Sequence, residues 1–123
     1  MGTFTGEPFT PKMKLKISSE FHKAPGPRYR SEGNHSGEEF RTTILCPRVR
    51  EALDKKVQLL IDLDGTYGFG TSFLEEAFGG LIRNDKFSLW ELNSVLSFVS
   101  EEEPDLIDEV MTYMKEADSE ARS

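Results

Sequence analysis

The residues best suited to chemistry gather in one run, Ile61-Asp62-Leu63-Asp64-Gly65-Thr66-Tyr67-Gly68-Phe69-Gly70-Thr71-Ser72. Asp62 and Asp64 alternate across a leucine. Gly65, Gly68 and Gly70 break any regular pattern after them, and Thr71 and Ser72 close the run. The plain use of such aspartates is to bond nearby backbone N–H groups in a strand-end turn. The plain use of a hydroxyl at this point is to cap a helix, worth about 1 kcal/mol. The glycines let the loop approach a ligand or partner closely. A second candidate lies upstream, where Arg28 and Arg30 precede Ser36 and another helix start, as an anion site would require. The plainer reading there bonds the arginines to loop carbonyls and to Glu32 or Glu38. His22 and His35 flank this turn, but two histidines without a third ligand do not make a metal site.

These groups need a strand, a loop and a helix to hold them. Val57 to Ile61 is apolar, short and rich in branched side chains, which predicts a buried strand. Phe73, Leu74, Ala77, Phe78, Leu81 and Ile82 follow the loop at helical spacing, behind N-cap oxygens from Thr71 or Ser72. Open α/β sheets present their sites at the carboxyl ends of strands, so the loop is where a site belongs.

The remaining elements surround that unit. Lys12 to Ser18 alternates lysines with Met13, Leu15 and Ile17, the pattern of a half-buried strand near a sheet edge. Residues 23–34 are rich in turn formers, with Arg28-Tyr29-Arg30 as a short second strand. Ser36 and Glu39 have capping-box spacing ahead of an apolar stripe of Phe40, Ile44, Leu45, Val49 and Leu53. Pro47 falls inside that stripe and predicts a kink near Thr43 to Cys46, with Cys46 a buried small hydrophobe. Ser88 and Glu91 form a second capping box, Val95 to Val99 a further strand, and Pro104 opens a last helix. That helix carries Leu106, Ile107, Val110, Met111 and Met114 on one face. The expected fold is α/β, a single layer of about four strands packed with helices in the order β-(β)-α-β-α-β-α. Residues 1–11 read as a loose arm, 12–117 as the domain and 118–123 as a tail.

At 123 residues the chain is long enough for one core. One cysteine excludes an internal disulfide and a cysteine-based zinc site, and the residues imply no cofactor. No apolar run is long enough to span a membrane and no signal peptide is readable, which gives a cytoplasmic expectation. A net charge of −7 argues against a general nucleic-acid binder. The front of the chain is basic and the stretch from Glu101 onward acidic, a polarity that solubilises two faces or is read by a protein partner.

Two resemblances assign the loop differently. Ile61-Asp62-Leu63-Asp64-Gly65-Thr66 resembles the opening motif of the haloacid dehalogenase phosphatases. It implies Asp62 as nucleophile, Asp64 as acid–base and Mg²⁺ between them. Ile61-Asp62-Leu63 followed by Phe69-Gly70-Thr71-Ser72-Phe73-Leu74 resembles instead the central unit of STAS domains, the fold of anti-sigma-factor antagonists. That resemblance implies Ser72, with Thr71 beside it, as a phosphoacceptor for a partner kinase; Gly70 and Phe73 replace the family's usual acid and glycine. Residues 26–41, GPRYRSEGNHSGEEFR, taken with 61–83, look like a narrower STAS-like family of unknown function found in bacteria and their phages. Some of those relatives sit with histidine-kinase-like ATPases. The expectation is therefore a non-catalytic protein-binding domain of partner-switching type. A Mg²⁺-dependent phosphatase is one alternative, and a plain assembly domain pairing through the edge at Lys12 to Ser18 is another.

Overall fold

The computed structural model describes residues 13–123, so the expected arm and Lys12 lie outside the described residues. The lysine-alternating segment forms β1, Met13–Lys16, and then turns into a single helical turn, α1, Ile17–Glu20. The strand therefore ends two residues earlier than its alternation predicts. The central strand β2 is Leu59–Asp62, and β3 is Leu96–Val99. All three run parallel in the order β1-β2-β3, with Leu15 beside Ile61 and Ile61 beside Phe98. Arg28 to Arg30 forms no strand. Tyr29 leads into a 3-10 turn at Arg30–Glu32, held by the Tyr29 N–H on the Glu32 carboxylate at 2.9 Å. The sheet of the described residues accordingly has three strands rather than about four.

Parallel strands need long crossovers, which the helices supply. The first crossover is a continuous rod: α2, Gly37–Phe40, a π-helical turn at Arg41–Leu45, and α3, Cys46–Lys55. Pro47 explains the wide turn. Its ring has no N–H to give and presses on the carbonyl four residues back, so the helix opens ahead of it, where the kink is expected. Ser36 caps this rod, its Oγ accepting the Glu39 N–H at 3.0 Å. The second crossover starts with a matching rod, α4 at Thr71–Leu74, a π turn at Glu75–Gly79 and α5 at Gly80–Arg83. It continues through α6, Leu89–Val95, whose Ser88–Glu91 capping box is complete. The last helix, α7, spans Asp105–Arg122 and so absorbs most of the expected tail.

The core lies between one sheet face and the helices. Leu15, Leu59 and Ile61 are fully buried on that face, as are Phe40, Phe73 and Phe78 from the two rods. Phe40 and Phe73 stack with ring centroids 5.7 Å apart, and Phe78 meets Phe98 edge-on at the same separation. Cys46 is buried among them, as its place beside the stripe predicts. None of the described helices is long and apolar enough to cross a membrane.

The rods cross where Gly37 meets Phe73. A Cβ on Gly37 would lie 2.6 Å from the Phe73 carbonyl oxygen, a backbone atom that cannot swing aside. Gly37→Ala should cost about 1–3 kcal/mol of stability, as overpacked sites do, read as a lower urea midpoint with an unchanged slope.

Candidate functional site

The loop from Leu63 to Gly70 closes over the carboxyl end of β2, and its aspartates hold it there. Asp62 Oδ1 accepts the Asp64 N–H at 2.9 Å, a local turn at the strand end. Asp64 points the other way: its Oδ2 accepts the Glu101 N–H at 3.1 Å and its Oδ1 the Glu102 N–H at 3.0 Å. Glu102 answers by accepting the Gly65 N–H at 2.9 Å, so the loop and the turn before α7 are tied reciprocally. The N–H groups of Glu102 and Glu101 hold the Asp64 carboxyl below the ordinary aspartate range. Gly65 takes φ +92°, a backbone region that favours glycine. This is the strand-end turn that the residue types alone suggest. Among the described residues, no three His, Cys, Asp or Glu side chains are placed together for a metal ion.

Tyr67 stands at the tip. Its N–H bonds the Lys23 carbonyl at 2.8 Å, while its side chain is 84% exposed. Gly68 follows at φ +133° in open space, and Gly70 packs on the Gly26 carbonyl. The helix then begins at Thr71, with Gly70 as N-cap and no side-chain cap. The expected capping role of Thr71 and Ser72 is therefore not used, because both residues already lie inside the first turn. The two residues border a depression of about 460 Å³ shared with Pro27, Arg28, Tyr29 and Gly70.

Arg28 and Arg30 do not converge on one anion. Arg30 turns to Thr42 Oγ1 at 3.0 Å, and Ser36 is fully buried in its capping bond. Arg28 reaches inward to Glu75, and its Nη1 lies 3.5 Å from Glu76. It is the outer member of a charged cluster along the rods. Arg41, 5% exposed, gives Nη2 to Glu76 at 3.0 Å and Nη1 to Asp85 at 2.9 Å. Arg83 bonds Glu75 at 2.9 Å and lies 3.4 Å from Glu76. The wide π turn at Glu75–Gly79 presents both glutamates to these arginines. His22 and His35 stack with ring centroids 3.6 Å apart and an interplanar angle of 13°.

A family profile described as a STAS-like domain of unknown function (DUF4325) matches residues 36–106. The chain belongs to that family. The match starts at the Ser36 cap and ends at Leu106, and so includes both rods, β2, β3 and the loop. It leaves β1, Arg28 and Arg30 outside, a narrower span than the 12–117 expected for the domain. Comparisons with curated proteins and with solved structures returned no match.

Sequence reasoning missed the ionic cluster in this STAS-like domain. A usable signal was present: Arg41 directly follows Phe40 and precedes Leu45 by four residues, and Glu76 follows Phe73 by three. A charge at apolar-stripe spacing points inward. Removing one partner strands the other in the core, so Arg41→Ala should cost about 3–5 kcal/mol, measured by chemical denaturation. Glu75 supplies a pH signature. Burial pushes its carboxyl up, but bonds from Arg83 and Arg28 outweigh that and hold it below the ordinary range. A depressed carboxylate stabilises the fold above the unfolded value and loses that contribution as pH falls. Glu75→Gln should therefore be destabilised at neutral pH, with the deficit narrowing below about pH 4.3. A deficit constant from neutral pH down to about pH 3 would contradict this assignment.

Proposed function

We propose that this STAS-like domain acts by binding another protein through the loop and helix start at the carboxyl end of its sheet. The observation carrying this reading is Tyr67: an 84% exposed aromatic on a backbone pinned at Lys23 and on a loop tied to the turn before α7. A large side chain held out by a rigid frame costs little entropy to dock, and tyrosine is enriched among residues that dominate interfaces. Tyr29, 46% exposed beside the Thr71–Ser72 depression, extends the surface.

The partner suggested by the resemblance to anti-sigma-factor antagonists is a histidine-kinase-like ATPase, in a cytoplasmic partner switch. Ser72, with Thr71 beside it, is the proposed phosphoacceptor. A phosphate there would meet the open N–H groups of the first helical turn, in a depression that Arg28 also lines. It would add nearly two negative charges to the face that the partner touches, while the fold beneath stays in place. The phosphatase alternative asks Asp62 and Asp64 to share a cation, whereas the two carboxylates are directed to different N–H groups.

Calorimetric titration of an ATPase of this type, encoded beside the gene, tests the proposal. Tyr67→Ala should weaken binding by about 2 kcal/mol, roughly thirtyfold. Ser72→Asp should shift the affinity while Ser72→Ala leaves it near the parent value. Equal affinity in all four proteins would remove this face as the binding surface.

A further inference from the structure

The two edges of the sheet are finished differently. The Met13 N–H bonds the Gln58 carbonyl, so Met13 and Leu15 turn their backbone groups to β2, and Lys14 and Lys16 turn theirs outward. That outer edge is partly covered by side chains. Arg48 Nη1 donates to the Lys14 carbonyl at 3.2 Å, Glu20 Oε2 accepts the Lys16 N–H at 3.0 Å, and Arg48 and Glu20 join each other at 2.5 Å. An ion pair thus occupies the place of a neighbouring strand. Within the edge expected for assembly at Lys12 to Ser18, the Lys14 carbonyl and the Lys16 N–H are taken by side chains of the same chain.

On β3 the Leu63 N–H bonds the Val99 carbonyl, so Ser97 and Val99 face β2, and Leu96, Phe98 and Ser100 turn outward. The Leu96 N–H is spent on the Leu92 carbonyl at the end of α6. Among the described residues, the Phe98 N–H and C=O, the Leu96 C=O and the Ser100 N–H have no partner. Phe98 is partly exposed although Leu59 and Ile61, on the same sheet face, are fully buried.

We infer that β3 pairs with β3 of a second copy of this chain, antiparallel about a twofold axis at Phe98, to give a continuous six-stranded sheet. Two observations select a copy of itself. The open groups are self-complementary in that register: Phe98 exchanges both bonds with its twin, and each Leu96 carbonyl meets a Ser100 N–H. The edge is also neutral. Residues 92–100, LNSVLSFVS, carry no charge in a chain that is 30% charged with a net charge of −7. Like-charged copies meet there without opposing charges across the axis, and no lysine blocks the pairing.

Hydrogen exchange of the full chain, with sedimentation at about 10 μM and about 1 mM, tests this. Dimers should form, and the Phe98 amide should exchange at least about tenfold more slowly at the higher concentration. The Leu59 and Ile61 amides should not change. Val99→Lys should return the chain to monomer with β2 amides still protected, whereas Arg48→Ala should open β1 and extend dimers into longer assemblies. A monomer at both concentrations overturns the inference. So does a dimer whose Phe98 amide exchanges as in the monomer, or a monomer that pairs β3 only with another protein's strand. The parent's Phe98 amide decides the matter even where a variant fails to fold.

Discussion

The domain depends on charges placed inside it. Arg41 joins Glu76 across the contact between the two rods, and the same guanidinium holds Asp85 just beyond α5. Replacing such a pair with apolar side chains is often neutral or stabilising, so its value does not lie in raw energy. Its value is positional. A fork of planar donors admits few arrangements, and satisfying both carboxylates fixes the roll of one rod against the other. The arrangement is tight: Arg41 Nε lies against Gly80, where a Cβ would come within 2.5 Å of it. The same Nε is buried without a hydrogen-bond partner among the described residues, so the geometry is held at some cost.

The two π turns belong to the same constraint. One lies at Arg41–Leu45 and contributes the arginine; the other lies at Glu75–Gly79 and contributes both glutamates. A π turn widens the helix and shifts the following side chains around its axis. In the first rod Pro47 forces this locally. In the second, no proline is near, and the turn coincides with carboxylates that must face Arg28, Arg41 and Arg83 together. From that rod's start, Thr71 and Ser72 reach the surface beside Arg28. The buried cluster therefore sets where Thr71, exposed, and Ser72, half-buried, stand.

The sequence revealed what local rules control. Apolar periodicity located three strands, and the Ser36 and Ser88 caps were readable from spacing alone. The disruption ahead of Pro47 followed from proline chemistry. Errors arose where a distant partner decides. Arg28-Tyr29-Arg30 has the composition of an edge strand, but Glu75, 47 residues on, draws Arg28 inward, and the segment closes into a turn on Glu32. Thr71 and Ser72 are good caps by type, yet Gly70 enters the helix first, packed on the Gly26 carbonyl of a segment more than forty residues earlier. The direction taken by Asp64 was equally hidden, because its acceptor role depends on a turn formed by Glu101 and Glu102.

That last tie bears on how the surface can be handled. Asp64 accepts the Glu101 and Glu102 N–H groups, Glu102 accepts the Gly65 N–H, Lys23 holds Tyr67 and Gly26 supports Gly70, so two separated stretches shape one loop. A synthetic peptide copying residues 61–72 would keep the side chains and lose their arrangement. The shape of this loop is thus a property of the assembled domain, and it cannot be grafted onto a foreign scaffold without both supporting segments.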